Sequence, residues 1–234
     1  MAKKLIAVLV VVVLAVVGFA GWYLFIRDDA PEELKLSDSP SGTGQAVDAS
    51  ALDGTWKVVA GSGDEATVAG YRVKEEFAGA RKVEAAGRTA GVEGDLTVAG
   101  GQVTKATFTV DMTTLKSDED RRDQAIKGRG IQTDSYPTST FTLTDPITLP
   151  AITDGKVFKV EAKGQLELHG VKKPVTLTLS GKSSGEGKTF TIQGSAPIVM
   201  ADYGIEPPSN AGMLEVEDNG SFEFIVNFGK DASG

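Results

Sequence analysis

The chain has 234 residues, with 24 Lys and Arg against 32 Asp and Glu, and a formal net charge of −8 at neutral pH. This acidic balance excludes nucleic acid as a favoured partner, since phosphate backbones are bound mainly by Lys and Arg. Cysteine is absent, which excludes disulfides, thiolate metal ligands, a cysteine nucleophile and a Cys-linked lipid anchor. A domain of this size can be stable through its apolar core alone.

A long apolar segment close to the N-terminus predicts a membrane-spanning helix. The 22 residues of Leu5–Ile26 carry no charge and are rich in Val, Leu and Ala. As an α-helix they would extend over about 33 Å, which matches a bilayer hydrocarbon core of about 30 Å. Lys3 and Lys4 precede the segment, and two Asp residues follow it. The positive-inside rule therefore places residues 1–4 in the cytoplasm and the rest of the chain outside it, as a single-pass protein of the cell membrane.

A cleaved signal peptide is the alternative interpretation of this segment. Signal peptides usually have an apolar region of about 7–15 residues that ends in small residues of the A-x-A type. The segment Leu5–Ile26 is longer, and Gly18-Phe19-Ala20 is an imperfect cleavage site. The pattern therefore favours an uncleaved anchor.

The next segment, residues 27–51, predicts a flexible acidic linker. It is rich in Asp, Glu, Ser, Pro and Gly and offers almost nothing apolar to bury. About 25 residues of flexible chain reach roughly 25–30 Å on average. Such a linker would hold the following domain close to the membrane while leaving it free to tilt.

Alternation of apolar and polar residues predicts an all-β domain over residues 52–230. Apolar side chains recur at every second position in short runs separated by Gly, Asp or Pro, as expected of strands with one buried face. The hairpin Gln165–Ser180 shows this most clearly, with a turn marked by Gly170 and Pro174. The principal apolar members of the runs are Trp56, Val58, Tyr71, Val73, Phe77, Leu96, Val98, Ala106, Phe108, Val110, Met112, Phe141, Leu143, Phe158, Val160, Ala162, Leu166, Leu168, Val175, Leu177, Leu179, Phe190, Ile192, Phe222, Phe224, Val226 and Phe228.

Eight or nine such strands can protect their edges in two ways, by stacking as two sheets or by closing into a barrel. The alternation by itself leaves both open. One short helix is predicted over Asp118–Lys127, with Ser117 as its N-cap and Gly128 as its stop. The Asp-Asn-Gly triplet at 218–220 predicts a type I′ hairpin turn.

Three stretches of this domain together resemble a known family. They are Arg122-Asp123 with Tyr136–Phe141 (YPTSTF), Gly164–Val175 (GQLELHGVKKPV), and Asp202–Ile205 (DYGI). Their composition and order are similar to the YceI-like family of bacterial lipid- and polyisoprenoid-binding proteins, over Leu52–Lys230. The resemblance implies an eight-stranded antiparallel lipocalin-like barrel that holds a long isoprenoid chain in a central apolar cavity. It also implies export across the inner membrane.

The residue types that catalysis needs are sparse in this chain. His169 is the only histidine, and a single His without Cys cannot build a zinc site. It precedes Gly170 at a predicted turn, where hydrogen bonding within the turn is the simplest role. Asp118, Asp120 and Asp123 lack the Gly and Glu spacing of a calcium loop. The sequence therefore predicts a binding protein without a metal or cofactor, and not an enzyme.

The candidate binding residues fall into two groups. Arg122, Asp123, Asp202 and Tyr203 are possible contacts to a headgroup at the mouth of the cavity, although Arg122 and Asp123 could equally form a structural ion pair. The apolar residues that would line the cavity are Phe108, Val110, Met112, Phe141, Phe158, Val160, Leu168, Leu177, Ile192, Phe222 and Phe224.

Together these features predict a membrane-tethered, extracytoplasmic barrel that binds a polyisoprenoid-type lipid, such as a polyprenyl carrier or an isoprenoid quinone. The same aromatic side chains could instead fill a solid core. The alternative function is therefore an interaction module that binds a partner at the cell surface without lipid. Its first candidate surface is the loop Asp202–Gly212, which contains two prolines.

Overall fold

The computed structural model describes residues 12–14, 16, 30–77, 81–209 and 214–230. The chain divides into two compact units, Met1–Ala30 and Pro31–Gly234. In the first unit, Val12–Leu14 and Val16 are helical, while most of the predicted membrane segment Leu5–Ile26 lies outside the described residues. Within the described ranges, no helix has the length and hydropathy that a membrane span requires.

In the described part of the second unit, eleven strands belong to one sheet. Their bounds are β1 Gly54–Val59, β2 Val68–Phe77, β3 Arg81–Thr89, β4 Val92–Ala99, β5 Gln102–Asp111, β6 Thr138–Leu143, β7 Ile147–Thr148, β8 Val157–Leu168, β9 Val171–Ser184, β10 Thr189–Val199 and β11 Leu214–Lys230. All of the pairings between them are antiparallel.

The sheet closes on itself through eight of these strands. The order around the ring is β1, β4, β5, β6, β8, β9, β10 and β11, and β11 pairs again with β1. β11 is long enough to pair with β2 through residues 214–225 and with β1 through residues 227–230. β3 continues the wall beyond β2. Of the two architectures that the alternation allowed, the structure has the barrel, and the prediction of an eight-stranded antiparallel barrel is confirmed.

The hairpin of β8 and β9 shows how the alternation produces this wall. Leu166 and Leu168 are buried in β8, and Leu177 and Leu179 are buried in β9, while the residues between them are exposed or half-buried. The turn that joins the strands contains only His169 and Gly170, with φ of 52° and 73°. Two positive φ values suit the right-handed twist of a two-residue hairpin. The predicted hairpin is confirmed, but its turn is tighter than expected.

One short α-helix, α1, is described in the second unit, and its bounds differ from the prediction. It covers Asp120–Ala125 and continues into a wider π-helical turn, Ile126–Gly130. The N-cap is Glu119, whose carboxylate accepts the backbone N–H of Arg121 at 3.1 Å. The predicted cap at Ser117 is wrong, because the Ser117 N–H and hydroxyl both donate to Asp123, at 2.8 and 2.7 Å.

Two further regions differ from the sequence-based expectation. The triplet 218–220 is not a hairpin turn, because β11 runs through it with a bulge between Val216 and Gly220. Asp218 accepts the backbone N–H of Ala201 at 3.0 Å instead of closing a turn. β3 is a strand over Arg81–Thr89, where the alternation of apolar residues did not predict one.

The segment that precedes β1, residues 31–53, is referred to below as the strap. The composition of residues 27–51 predicted a free linker, whereas the strap makes specific contacts along the outer wall. Arg72 Nη2 donates to the carbonyl of Pro31 at 2.7 Å, and Lys182 Nζ donates to the carbonyl of Ser37 at 3.1 Å. Further along, the N–H of Val47 donates to the carbonyl of Ile152 at 2.9 Å. Carbonyl groups of the strap thus satisfy cationic side chains that are nearly buried.

Asp154 is the residue that holds the middle of the strap. It is only 2% exposed, and its carboxylate accepts the N–H groups of Thr43 and Glu186 at 3.1 and 3.0 Å. The Ser183 hydroxyl donates to it at 3.3 Å. Burial alone would raise the pKa of this carboxyl, but these hydrogen bonds to the charged form hold its pKa below the usual value.

We expect Asp154→Asn to lower the free energy of unfolding by about 1–3 kcal/mol at pH 7, because an amide cannot accept all of these hydrogen bonds. The folded-state pKa is depressed, so the stabilisation by Asp154 is present above the unfolded-state pKa of about 4. It is lost as the pH falls through the lower folded-state value. Urea unfolding of both proteins between pH 3 and pH 7 measures this difference.

Asp95→Asn is the matched control, since Asp95 is exposed on β4. It should unfold like the original protein at every pH. Equal stability of the Asp154 and Asp95 variants would show that the strap is not held by this carboxylate.

Candidate functional site: the barrel lumen

Strands β8 to β11 present two rows of inward-facing side chains, each with one glycine among large residues. The first row, in register across the four strands, is Phe158, Gly181, Ile192 and Val226; the second is Val160, Leu179, Gly194 and Phe224. Small residues beside large ones let the side chains of a narrow barrel fit together. The space enclosed by these and the other inward-facing residues is called the lumen below.

The aromatic rings of these rows lie against glycines of the neighbouring strand. A Cβ atom at Gly181 would come within 3.0 Å of the Phe158 ring, and one at Gly194 within 3.0 Å of the Phe224 ring. Phe141 lies over Gly164 in the same way. Since the ring tips reach across to the next strand, the rings extend along the wall. Phe108 and Phe228, from strands that do not pair, also approach each other inside the barrel, with ring centroids 5.5 Å apart.

The predicted cavity residues come together on this inner surface. Residues with a few per cent of exposure are Met112, Leu168 and Leu177. The other eight are half-buried: Phe108, Val110, Phe141, Phe158, Val160, Ile192, Phe222 and Phe224. Those eight pack against the buried clusters but keep accessible surface, so the protein's own side chains do not cover them completely. The result is an apolar, aromatic-rich lumen wall.

Buried clusters lie at both ends of these strands. The base cluster includes Leu52, Trp56, Val98, Ile152 and Phe228. The lid cluster consists of Met112, Leu115, Ile131, Leu166, Leu168, Tyr203 and Ile205. Trp56 anchors the base, because its Nε1 donates to the carbonyl of Leu52 at 2.9 Å and its ring meets that of Phe190 edge-on at 5.0 Å. The half-buried lining residues pack against these two clusters and against a third one formed by Ala162, Leu177, Leu179 and Ala196.

The three stretches that carry the family resemblance meet beside the lid cluster. The rings of Tyr136 and His169 lie 4.2 Å apart, and Tyr136 also covers Gly170. His169 Nδ1 lies 3.0 Å from the carbonyl oxygen of Tyr203, to which it donates. His169 thus links the β8–β9 turn to another segment, and the expectation of bonding within its own turn was too local.

Two predicted mouth residues, Asp202 and Tyr203, belong to this junction. Lys173 Nζ pairs with Asp202 at 2.8 Å, close to the link between His169 and Tyr203. Tyr203 is 4% exposed, and burial together with the Asp202 charge raises the pKa of its phenol. The loop that follows is part of the lid, because Ile205 is buried as well.

The other predicted mouth pair, Arg122 and Asp123, is also engaged by protein groups. Arg122 forms a two-pronged ion pair with Glu75, at 2.9 Å for Nε–Oε1 and 3.0 Å for Nη2–Oε2, and it bonds Asp118 as well. Asp123 accepts from Ser117. Each of the two predicted residues therefore has a protein partner, but they do not pair with each other. Contact with a headgroup stays a prediction for all four mouth residues.

Two polar atoms that the sequence did not single out lie near the lid. Tyr71 Oη and His169 Nε2 are buried without a hydrogen-bond partner among the described residues. Burial raises the pKa of the Tyr71 phenol far above its ordinary value, so it stays protonated and able to donate. Tyr71 packs against the lid cluster. The pattern alone marked Tyr71 only as an apolar member of a strand, since a buried hydroxyl without a partner is a tertiary property.

No group of three or more potential ligands that could hold a metal ion occurs in the part of the chain that the structure describes.

Glu75→Gln should lower the free energy of unfolding by about 3 kcal/mol. Glu75 is 4% exposed, and its replacement leaves the mostly buried guanidinium of Arg122 without its main counter-charge. Thermal and urea unfolding measure the effect. Glu161→Gln, at an exposed position on β8, is the control and should change stability by less than about 0.5 kcal/mol. Similar stabilities of the two variants would mean that the Arg122–Glu75 pair does not hold α1 to the barrel.

Comparison with solved structures places this barrel among known folds. It is similar to a polyisoprenoid binding domain from Saccharophagus degradans implicated in plant cell wall breakdown, with a TM-score of 0.58 and 16% identity, over 75% of this chain and 98% of that one. It is also similar to BcnA of Burkholderia cenocepacia, with a TM-score of 0.52 and 17% identity, over 77% and 98% of the two chains. At these identities the likeness shows the fold.

Sequence comparison agrees with this result. UPF0312 proteins of Vibrio vulnificus and Vibrio parahaemolyticus are each 28% identical over 118 residues, which is 48% of this chain. The matched region spans 59% of the length of these curated relatives. The model of the YceI-like domain matches residues 59–228. That range contains most of the barrel and all three signature stretches, and the chain therefore belongs to the YceI-like domain family.

Proposed function

We propose that this protein binds a polyisoprenoid-type lipid in the lumen of its barrel. The observation that carries the proposal is the inner surface itself, where eight predicted lining residues are inward-facing, apolar and still partly accessible. Its fold is shared with a solved polyisoprenoid binding domain, which supports the same class of ligand.

The chemistry of the lumen wall suits the hydrocarbon part of such a lipid. Each CH₂ group that moves from water into an apolar site contributes about 0.8 kcal/mol. A tail of several isoprene units can therefore bind through apolar area alone, with few polar contacts. Met112 adds an adaptable side chain at the lid end. The apolar wall by itself does not distinguish the tail of a polyprenyl carrier from that of an isoprenoid quinone.

A polar headgroup would lie near the lid in this arrangement. Tyr71 Oη can donate to it, and His169 Nε2 is a second buried polar atom there that is free to bond a headgroup. The predicted mouth residues Arg122 and Asp202 lie in the same part of the barrel but are neutralised by Glu75 and Lys173. An uncharged hydroxyl or quinone head fits this setting better than a phosphate.

Binding, and not catalysis, is the function that the described residues support. His169 lies between Tyr136 and the carbonyl of Tyr203, and among the described residues its ring hydrogen bond goes to this backbone group and not to a nucleophile. Catalysis by a triad would need His169 to contact a Ser or Thr hydroxyl.

The location of the protein is part of the proposal. The apolar segment Leu5–Ile26 would anchor the chain in the cell membrane with residues 1–4 in the cytoplasm. The barrel would then work outside the cytoplasm, next to the leaflet from which an isoprenoid lipid is taken. This arrangement suits storage or transfer of a membrane lipid.

Native mass spectrometry of the full chain, released from mild detergent, should show a bound lipid with an isoprenoid tail. Phe141→Asp places a charge on the lumen wall and should reduce the bound fraction at least about tenfold, since an unpaired charge in an apolar site is costly. The control Thr142→Asp changes the adjacent, exposed residue and should retain the lipid.

Circular dichroism of both variants checks that the barrel has folded. The lipid proposal fails if the unchanged protein carries no lipid and takes up no added polyprenol.

Fractionation of the natural host should find the full chain in the membrane pellet, where it resists extraction by alkaline carbonate. Deletion of residues 5–26 should move it to the soluble fraction, because the remaining chain has no comparable apolar run. Protease added outside the cytoplasm should remove the barrel. A mature protein whose intact mass lacks the first twenty or so residues would contradict the anchor and favour a signal peptide.

A further inference from the structure

Two glycines of the barrel wall leave room for two aromatic rings of the lumen to lie along the wall. Phe158 lies directly across from Gly181, and Phe224 lies directly across from Gly194. In both pairs the ring atom nearest to a Cβ on the glycine would be Cζ, the tip of the ring. A ring whose tip lies over the next strand is directed along the wall and away from the barrel axis. Because glycine has no side chain, each ring occupies space next to the wall and takes up less space near the barrel axis.

The backbone does not require glycine at either position. Neither Gly181 nor Gly194 has a positive φ, so an L-residue could adopt the same conformation. The atoms that a new Cβ would meet belong to side chains, namely those of Phe158 and Ile192 at position 181 and of Phe224 and Leu179 at position 194. Gly94 differs, with φ of 151° and a clash against the backbone of Thr107.

We propose that Gly181 and Gly194 are the residues that determine how wide a chain the lumen accepts, and that they admit a methyl-branched chain. This inference rests on the proposed function, since it concerns the specificity of the same site. A side chain at either glycine would lift the ring off the wall and toward the axis. A branched isoprenoid chain is wider than an unbranched chain of equal length, so narrowing excludes the branched chain first.

Selectivity between two alcohols of equal main-chain length tests the proposal. Farnesol carries methyl branches, 1-dodecanol does not, and both end in a hydroxyl group. Their affinities for the full chain in dilute detergent are measured by displacement of the fluorescent probe N-phenyl-1-naphthylamine. The unchanged protein should bind both. Gly181→Val and Gly194→Val should each reduce the affinity for farnesol at least about tenfold more than the affinity for dodecanol. One or two methyl groups provide discrimination of this size in an apolar pocket.

Two further variants distinguish a narrower lumen from a general loss of folding or binding. Gly181→Val combined with Phe158→Ala removes the displaced ring and should restore farnesol binding to within about threefold of the unchanged protein. Gly128→Val is the matched control: Gly128 is exposed, and a Cβ there meets nothing within 4 Å. This control should leave both affinities unchanged.

Urea unfolding of the same variants tests the ring–glycine contact without any ligand. Gly181→Val should destabilise the original protein more than it destabilises the Phe158→Ala variant, because the steric conflict needs the ring. Additive effects on unfolding would overturn the inference.

The binding outcomes distinguish the inference from the proposed function. If the unchanged protein binds neither alcohol, the lipid function fails, while the unfolding cycle still reports the contact. If it binds both alcohols and Gly181→Val weakens them by the same factor, the inference on width fails and the lipid function stands.

Discussion

Closure of the sheet through β11 is the constraint on which the rest of this structure depends. This 17-residue strand pairs with β10 on one side and with both β2 and β1 on the other. Without the β1 pairing, two strand edges would expose unpaired N–H and C=O groups, which makes an open sheet prone to aggregation. Closure also brings the apolar faces of strands that are distant in sequence around one axis. Only then do Phe158 from β8 and Phe224 from β11 face the same space, and an apolar stripe becomes the wall of a lumen.

The buried charged residues of the barrel lie next to opposite charges or backbone groups that pair with them. On the outer wall Glu223, 4% exposed, accepts from Arg88 at 2.7 Å and from Arg72 at 3.4 Å, and Arg72 also binds a carbonyl of the strap. Near the lid, Glu75 pairs with Arg122. Burial of a charge is tolerated only with such partners. Because these networks lie on the outside and at one end, the middle of the barrel stays apolar.

Much of this arrangement was predictable from the residue pattern. The period-two alternation marked Phe108, Phe141 and Leu177 as inward-facing, and it did so because side-chain direction in a strand depends only on parity along the chain. The strap was not predictable in this way. Its residues are mostly polar, and they are bound by buried side chains, Asp154 and Lys182 among them, that lie more than one hundred residues later in the chain. The helix cap was predicted wrongly for a related reason. Ser is the favoured N-cap type and Glu is not, but Ser117 donates to Asp123, and the carboxylate of Glu119 accepts the N–H of Arg121 instead.

The sequence by itself determined that the chain forms antiparallel strands with one apolar face, that it carries the signature stretches of the YceI-like family, and that an uncharged segment of membrane-spanning length precedes the domain. Those properties follow from local periodicity and composition. The tertiary structure alone decided which glycine lies under which ring, that eight of the eleven lining residues stay half-buried, and that Arg122 pairs with Glu75 instead of its neighbour Asp123. The physical reason is register: a shift of one residue between paired strands reverses every side chain, and no short stretch of sequence records which partner lies across the ladder.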